Sequence, residues 1–465
     1  MPRAAGPAAR FRLGTAVDAG SAAGALALVG AAVAVGWWLN RAGTPLYAGS
    51  APLFATWGPH LGVGTPLALF VAGAVVGFGP RLAARLRWPG LLAGGYLTAV
   101  AWICSLALID GPADGLARRL TTDVEYLPQV PRVTDIPGTV RGFADRILDS
   151  QPDSWTTHVS GHPPGALLVF VWLDRIGLAG GYWAATACVV VGALTAVAVP
   201  VTLRALGDEV AARAVVPFVV LFPGAVWLGA SADAIFAGAT ATGIALLAVG
   251  GCRTGPLRAL AALAGGVLLG FGMFLSYGLV LMAPLALATA LVLGRVRPLL
   301  IGAVGVAAVV AVFARAGFWW YDGYQLVVRR YYQGIGQQRP YAYWVWANVA
   351  SLVLAAGPAA APALRRAVRA FWPSRPEPER PPGRLRQLAG RALVGPVALP
   401  IAAAVAIGAA DLSGLSKAEA ERIWLPFAVW LLAGTALLPA RHRRWWLAAQ
   451  AMTALAVNHL VHTVW

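Results

Sequence analysis

The sequence predicts an all-α protein that crosses a membrane many times. Of its 465 residues, 59% are hydrophobic and 12% are charged, against about 45–50% and about 25% in an ordinary soluble protein. The chain also contains 54 glycines, which membrane helices tolerate better than soluble helices and use for close backbone contact. This composition excludes a water-soluble globular protein.

About thirteen apolar runs meet or approach the roughly 20 residues that a helix needs to cross a bilayer. The first run follows three arginines and is too long for the core of a signal peptide, so we expect an anchor with a cytoplasmic N-terminus. The predicted spans are 22–39, 65–80, 88–110, 181–203, 214–230, 234–251, 257–275, 279–294, 298–316, 342–363, 393–410, 423–440 and 445–463.

The arginines orient these spans. The net charge of +17, from 36 basic and 19 acidic residues, could indicate a nucleic-acid partner. Basic cytoplasmic loops are the simpler explanation, so no nucleic acid is expected. If the spans alternate, all six cytoplasmic loops are basic. Their arginines include Arg81, Arg85, Arg87, Arg204, Arg213, Arg253, Arg258, Arg295, Arg297, Arg365, Arg391, Arg441, Arg443 and Arg444.

The alternation requires that the apolar stretch 164–176 does not cross the membrane. This stretch is only about 13 residues long, is too short for a typical span, and begins after Pro163 at a pair of prolines that favours a helix start. We therefore predict a short helix at the outer interface. If it crosses, every later segment is inverted.

The runs divide the chain into membrane and loop segments, with the plasma membrane as the expected location. The predicted segments are a basic cytoplasmic N-terminus (1–20), N-terminal membrane helices (21–110), an extracytoplasmic loop with short helices (111–180), central membrane helices (181–316), an extracytoplasmic segment rich in aromatic residues and arginine (317–341), a membrane helix (342–363), a basic cytoplasmic linker (364–392) and C-terminal membrane helices (393–465).

The first long outer loop carries candidate catalytic carboxylates. Asp123 and Glu125 lie two residues apart beside Tyr126, so their side chains share a side if the chain is extended and diverge on a helical turn. A carboxylate at the membrane surface could act as a general base for an attacking hydroxyl. Two solvated loop acids are an equally weighted interpretation.

Three further polar residues are candidates for positioning a substrate. His158 and His162 precede the predicted interfacial helix. No third ligand lies at a diagnostic spacing, so substrate positioning or a structural role is favoured over a metal site. Asp233 lies between two apolar runs with no basic neighbour in sequence, which indicates either a functional site or a helix N-cap aided by Ser231.

Basic residues on the predicted outer side are unusual, because the positive-inside bias disfavours them. Arginines could clamp a phosphate bidentately. The alternative for the later group is a local helix with an ion pair between Lys417 and Glu421. The candidates for binding a phosphate are Arg329, Arg330, Arg339, Lys417 and Arg422, and those for positioning are Tyr332 and Glu421.

These motifs, in this order, resemble the GT-C superfamily of membrane glycosyltransferases. The resemblance covers roughly residues 110–348 and is nearest to the protein mannosyltransferase and lipid A aminoarabinose transferase branch. It rests on the acid-x-acid-Tyr element of the outer loop, the His-Pro-Pro start at His162, Asp233 at a helix end, and the RPYAYW segment from Arg339. Two departures are the position of the acidic loop after the third predicted span and the lack of an adjacent Asp-Glu pair.

The resemblance implies a polyprenyl-phosphate sugar as donor and transfer of mannose or a pentose, with inversion, to a glycan, lipid or peptide acceptor outside the cytoplasm. It implies that Asp123 or Glu125 is the base and that basic residues bind the donor phosphate. The Arg-rich composition resembles that of actinobacterial proteins, in which such enzymes modify the cell envelope. No cofactor is required, although a divalent metal such as Mg²⁺ or Mn²⁺ is left open. The alternative is a transporter or flippase of an anionic lipid-linked saccharide.

Overall fold

The computed structural model describes residues 7–372 and 393–464, with side chains from residue 15 onward. Most of the predicted cytoplasmic linker lies outside these residues. In the first half of the chain the helices are α1 (Pro7–Arg41), α2 (Thr65–Arg85), α3 (Trp88–Ala107), α4 (Ile136–Arg141), α5 (Thr157–Gly161), α6 (Pro164–Arg175), α7 (Gly181–Gly192), α8 (Thr195–Ala205), α9 (Glu209–Val220), α10 (Ala225–Leu228) and α11 (Ala232–Cys252).

The second half is also helical, and one short strand from each end of the chain completes the fold. The remaining helices are α12 (Pro256–Leu275), α13 (Ala283–Leu293), α14 (Arg297–Arg315), α15 (Trp320–Gln333), α16 (Tyr341–Ala356), α17 (Ala360–Phe371), α18 (Gly395–Leu412), α19 (Ala420–Ile423), α20 (Leu425–Leu431) and α21 (Arg443–Leu460). Strands β1 (Ala55–Trp57) and β2 (Val461–Thr463) pair antiparallel. Single 3-10 or π turns cover Ala113–Ala117, Leu127–Arg132, Ala144–Arg146, Tyr277–Met282, Leu432–Leu437 and Ala440–His442.

Eight helical segments of the described residues are long and apolar enough to cross a membrane, or nine if one bent pair counts as a span. The predicted number of about thirteen is not confirmed. The segments are Thr15–Arg41, Thr65–Arg85, Trp88–Ala107, Gly181–Ala205, Ala232–Cys252, Pro256–Leu275, Arg297–Arg315 and Gly395–Leu412, and the bent pair is α16 with α17.

The shortfall arises from predicted spans that form short or broken helices. The run 214–230 divides into α9 and α10 around Pro223, and the run 423–440 forms seven residues of α20 followed by a 3-10 turn. Helices α16 and α17 meet at an angle of 104°, where Gly357 has a φ of +82°. A positive φ strains residues that carry a Cβ, so glycine suits this bend.

The helix predicted over 164–176 is present as α6, which has 12 residues. At its N-terminal end His162 contacts Tyr126. Near its C-terminal end Arg175 donates to the carbonyl oxygen of Val133 at 2.7 Å. Both ends of α6 therefore contact the long segment between α3 and α6, and its placement at the outer interface stays a prediction.

Among the described residues, the segments near the helix ends form hydrogen bonds within two separate groups, one at each end of the bundle. In the first group the side chain of Arg213, in α9, donates to the carbonyl oxygens of Ala83 and Leu86 at the C-terminal end of α2. In the second group the backbone N–H of Phe54 donates to Glu421. We call the second end the acidic end; it comprises residues 42–64, 108–163, 317–341 and 411–424.

Candidate functional site

A buried chain of charged residues joins three loops at the acidic end. The guanidinium of Arg422 donates to Asp233 at 2.6 Å and to Glu419 at 2.7 Å. Arg339 lies 3.4 Å from the other oxygen of Glu419. The Arg422 and Asp233 side chains are only 6% and 3% exposed, so the charges interact with little screening from water. We call these residues, with the groups described next, the buried charged cluster.

Asp233 reaches this cluster from the start of α11. Ser231 is the N-cap, and its hydroxyl accepts a hydrogen bond from the backbone N–H of Asp233. The two interpretations of Asp233 are therefore not exclusive: Ser231 caps the helix, and Asp233 in its first turn binds a distant cation. A carboxylate is favourable there because it faces the positive end of the helix dipole.

Glu125, Tyr126, His158 and His162 form the other half of the cluster. The side chain of Glu125 is 2% exposed, and one of its oxygens lies 3.7 Å from Nε2 of His158. Nδ1 of His162 lies 2.7 Å from the carbonyl oxygen of His158 and 2.9 Å from the hydroxyl of Tyr126. A carbonyl oxygen only accepts, so Nδ1 of His162 carries the proton and Nε2 is left as an acceptor.

The environment keeps both histidines and the tyrosine neutral near pH 7. Burial, with smaller contributions from Arg422 and His162, lowers the pKa of His158 well below its ordinary value. Burial also lowers the pKa of His162, although Asp233 opposes this. The pKa of Tyr126 is raised by burial and by the carboxylates of Glu125 and Asp233. The pKa of Arg422 is raised because Asp233 and Glu419 outweigh burial.

Asp123 and Glu125 do not share a side. The chain turns at residues 121–126, and Asp123 is exposed whereas Glu125 is buried. The prediction of a shared side was conditional on an extended chain, and the turn removes that condition. Of the two carboxylates, therefore, only Glu125 lies within the buried charged cluster.

Arg339 is bound to protein groups rather than presented to a ligand. Its guanidinium donates to the carbonyl oxygens of Lys417 at 2.8 Å and Leu46 at 3.2 Å. Its side chain is 4% exposed. Arg339 therefore ties together three loops of the acidic end, and its role of binding a phosphate stays a prediction.

Lys417 and Glu421 do not form the local ion pair that their spacing allows. The ammonium of Lys417 donates to the carbonyl oxygen of Gly336 at 2.9 Å and lies 5.4 Å from the ring centre of Tyr332. Glu419 has a φ of +63°, and the helix begins only at Ala420. The i, i+4 pairing fails because Lys417 precedes the helix.

Glu421 has one free carboxylate oxygen. Its Oε1 accepts a hydrogen bond from the backbone N–H of Phe54 at 2.8 Å, whereas Oε2 is buried without a partner among the described residues. Burial raises the pKa of Glu421 from 4.5 to about 7. The carboxyl group therefore takes up a proton closer to neutral pH than an ordinary glutamate does.

Arg329 and Arg330 differ in environment, although they are neighbours on α15. Arg329 is exposed. Arg330 forms an ion pair with Asp149 at 2.5 Å, and its Nε lies 3.3 Å from the hydroxyl of Ser160. Ser160 belongs to α5 between the two histidines, so Arg330 approaches the cluster from its rim.

Several residues of this site are not among those predicted from the sequence. Glu419 bridges two arginines, and the hydroxyl of Tyr331 accepts from the backbone N–H of Lys417 at 3.0 Å. Asn348 donates to Asp411 at 2.9 Å. Glu419 stood in a charged segment and could have been included, whereas nothing local distinguishes Tyr331 or Asn348. A group of side chains whose atoms are close enough to hold a metal lies elsewhere, at His60, Asp110 and His462.

The fold and the cluster define the chain as a multi-pass α-helical membrane protein with a buried ionisable site at one end. No protein-family model and no curated protein matches it. Among solved structures it is similar to an oligosaccharyltransferase from Archaeoglobus fulgidus in complex with Zn and sulfate, with 13% identity and a TM-score of 0.42. The match covers 80% of this chain and 53% of the archaeal protein, so the chain spans about half its length. These values do not assign a family.

Proposed function

We propose that the chain is a membrane glycosyltransferase that uses a polyprenyl-phosphate sugar and acts at the extracytoplasmic face. The sugar would be mannose or a pentose, and the acceptor a hydroxyl of a glycan, lipid or peptide. The observation that supports this most is the burial of Glu125 beside His158 in a cluster that also contains Arg422. Buried ionisable groups in membrane proteins mark functional sites.

Glu125 is the proposed general base. It would accept the proton of the acceptor hydroxyl as that oxygen attacks the anomeric carbon. A single displacement of this kind inverts the configuration at that carbon. His158, which is neutral, would orient the Glu125 carboxylate, and Tyr126 with His162 would position the sugar. We assign Glu421 to positioning the sugar as well, because its buried Oε2 could accept a hydrogen bond from a sugar hydroxyl.

The cations would stabilise the leaving phosphate. As the glycosidic bond breaks, negative charge develops on the phosphate, so fixed cations stabilise the transition state more than the ground state. Lys417 uses the carbonyl oxygen of Gly336 for one of its three donors. We assign phosphate contact to Lys417, Arg329 and Arg330. Arg422, whose guanidinium binds Asp233 and Glu419, would act on the phosphate through its charge. Arg339 is reassigned to holding the loops.

A lipid-linked donor suits the placement of the cluster at the end of the helices. Its chain stays in the hydrocarbon core while its sugar lies at the water interface. Irregular backbone at that depth is tolerated where it lines a cavity, and the loops of the acidic end would line the cavity that holds the donor. No Gly-rich phosphate loop is present in the sequence, which agrees with a donor that is not a nucleotide sugar.

The experiment is a transfer assay with the full chain in liposomes. Polyprenyl-phosphate mannose and polyprenyl-phosphate arabinose are supplied with a hydroxyl acceptor, and a nucleotide sugar serves as the negative control. The expected result is a glycosylated acceptor with inverted configuration and free polyprenyl phosphate in equal amount. Movement of the intact lipid-linked saccharide between leaflets without transfer would contradict the proposal.

The transporter alternative draws on the bend between α16 and α17, since broken helices line the binding sites of many transporters. Here the break is filled by protein. The side chain of Gln450 donates to the carbonyl oxygen of Ala356 and accepts from the backbone N–H of Ala359, and the backbone N–H of Gly224 donates to Ala355. These contacts favour a fixed packing joint over a substrate cavity.

A further inference from the structure

A second group of polar side chains lies where the two ends of the chain meet. His60 precedes α2, Asp110 follows α3, and His462 lies on β2. One ligand atom from each lies within 4.8 Å of the others. None of the three belongs to the buried charged cluster.

Backbone pairing fixes the two histidines against each other. Beyond the β1–β2 pair, the backbone N–H of Gly58 donates to Leu460 and that of His60 donates to His459. The rings of His60 and His462 stack with centres 4.0 Å apart. A Cβ at Gly58 would lie 2.5 Å from the His462 ring, so glycine leaves room for this ring.

Hydrogen bonding sets the tautomer of His60. Its Nδ1 lies 2.8 Å from the carbonyl oxygen of Gly58, which can only accept, so Nδ1 carries the proton. In a neutral ring Nε2 then presents a lone pair, yet it lies 2.8 Å from the carboxylate Oδ1 of Asp110. Two lone pairs at this distance repel each other, so a cation must lie between them: a second ring proton or a metal ion.

The surrounding groups match those of a metal site. Metal-binding histidines commonly donate their other N–H to a carbonyl oxygen, as His60 does, and metal-binding carboxylates are themselves hydrogen-bonded. Arg119 holds the second oxygen, Oδ2, of Asp110 at 2.6 Å. One carboxylate oxygen therefore remains for an ion.

The ligand atoms are close enough for one small ion. Zinc bonds of about 2.0–2.1 Å in a tetrahedron place neighbouring ligand atoms about 3.3 Å apart. Oδ1 of Asp110 is nearer than this to Nε2 of His60, at 2.8 Å, and farther from Nδ1 of His462, at 3.7 Å. Because a metal ion lies in the plane of each imidazole that binds it, the His462 ring would turn out of its stack on His60 to bind the same ion. The His462 side chain is 52% exposed, so water can reach a fourth position.

We infer that His60, Asp110 and His462 bind one zinc ion that fastens the C-terminal strand to the first outer loop. Two imidazoles and one carboxylate favour Zn²⁺ over Mg²⁺ or Mn²⁺, which prefer oxygen ligands. This zinc site is separate from the proposed transfer reaction and does not depend on it.

The test measures zinc bound to the full chain in detergent, after removal of metal with a chelator and dialysis against zinc. We expect about one zinc per chain, and less than about 0.2 for Asp110→Asn and for His462→Gln. His442→Gln, at the opposite end of the bundle, is the matched control and should retain the wild-type amount. Cobalt in place of zinc should give the absorption of a tetrahedral site in the wild type only.

Zinc should also raise the Tm of the wild type and leave that of His462→Gln unchanged. Because His462 is half exposed, this variant should fold even if changes at buried Asp110 do not. Wild-type protein that binds no more zinc than His462→Gln would overturn the inference and would assign the contact to a protonated His60.

Discussion

At the scale of single residues, the pair of Asp233 and Arg422 organises the acidic end. Both side chains are buried, and Arg422 also binds Glu419. Removing one partner of a buried ion pair costs about 3–5 kcal/mol, because the remaining charge loses its compensation. The pair therefore fixes the short helix α19, which contains Arg422, against the start of α11.

Arg422→Gln should lower the free energy of unfolding by about 3–5 kcal/mol. The double variant Asp233→Asn with Arg422→Gln should be less destabilised than the sum of the single variants, because it leaves no lone carboxylate at 233. Denaturant unfolding of the detergent-solubilised chain measures this coupling. Strictly additive losses would show that the two charges do not interact.

Glu421 should make stability depend on pH. Its pKa is about 7 in the folded chain and 4.5 ordinarily, so the folded state binds more protons between these values. The contribution of Glu421 to the free energy of unfolding is then greatest below about pH 4.5. It falls as the pH rises through 7, by an amount on the order of 3 kcal/mol.

Glu421→Gln should remove this part of the pH dependence of Tm, since the amide does not titrate. Asp174→Asn, at an exposed position of α6, is the matched control. An unchanged pH profile in Glu421→Gln would contradict the assignment.

Asp233 shows how far the sequence could predict the site. A lone acid between apolar runs was recognisable as unusual, and so were Glu125, His158 and Arg422. The pairing of Asp233 with Arg422 joins positions 189 residues apart, and no local pattern encodes that contact. The carbonyl partners of Arg339 also come from distant loops, so its part in joining those loops could not be predicted locally either.

At the scale of elements, the bend between α16 and α17 depends on Gln450 of α21. Its side-chain amide satisfies one carbonyl and one N–H that the bend removes from the helical pattern. Both contacts are buried, where an unpaired polar group costs about 1–3 kcal/mol. The joint between these helices therefore needs this one amide.

Gln450→Leu should destabilise the chain by about 2–5 kcal/mol, because two buried backbone groups lose their partners. Met452→Leu, an exposed apolar exchange on the same helix, should change Tm little. Equal Tm values for wild type and Gln450→Leu would show that other groups satisfy the bend.

Helix positions were predictable where the run was long and uniform. The run 234–251 became α11, Ala232–Cys252. The run 423–440 was misjudged because residues 425–432 are buried throughout. A buried core helix needs the same apolar residues as a membrane span but not the same length, so hydropathy alone cannot separate the two.

At the scale of the whole molecule, sidedness is the property that the proposed function requires. Alternation of basic loops predicts which loops face the cytoplasm, and this orientation stays a prediction. The acidic end would face the outside and the arginine-rich end the cytoplasm.

Single cysteines in a cysteine-free background test this orientation. Asp123→Cys and Arg253→Cys are at exposed positions of the two ends. A membrane-impermeant maleimide added to intact cells should label position 123, and position 253 only after the membrane is opened. Labelling of both positions in intact cells would refute the alternation.

The most direct test of the central claim compares Glu125→Gln with Asp123→Asn in the liposome transfer assay. The two changes each replace one carboxylate by an amide in the same loop, and only Glu125 is buried in the cluster. Glu125→Gln should reduce kcat/KM by about 100-fold or more, as expected for loss of a general base, while Asp123→Asn stays within about twofold of wild type. Wild-type transfer by Glu125→Gln would contradict the claim that this carboxylate performs the chemistry.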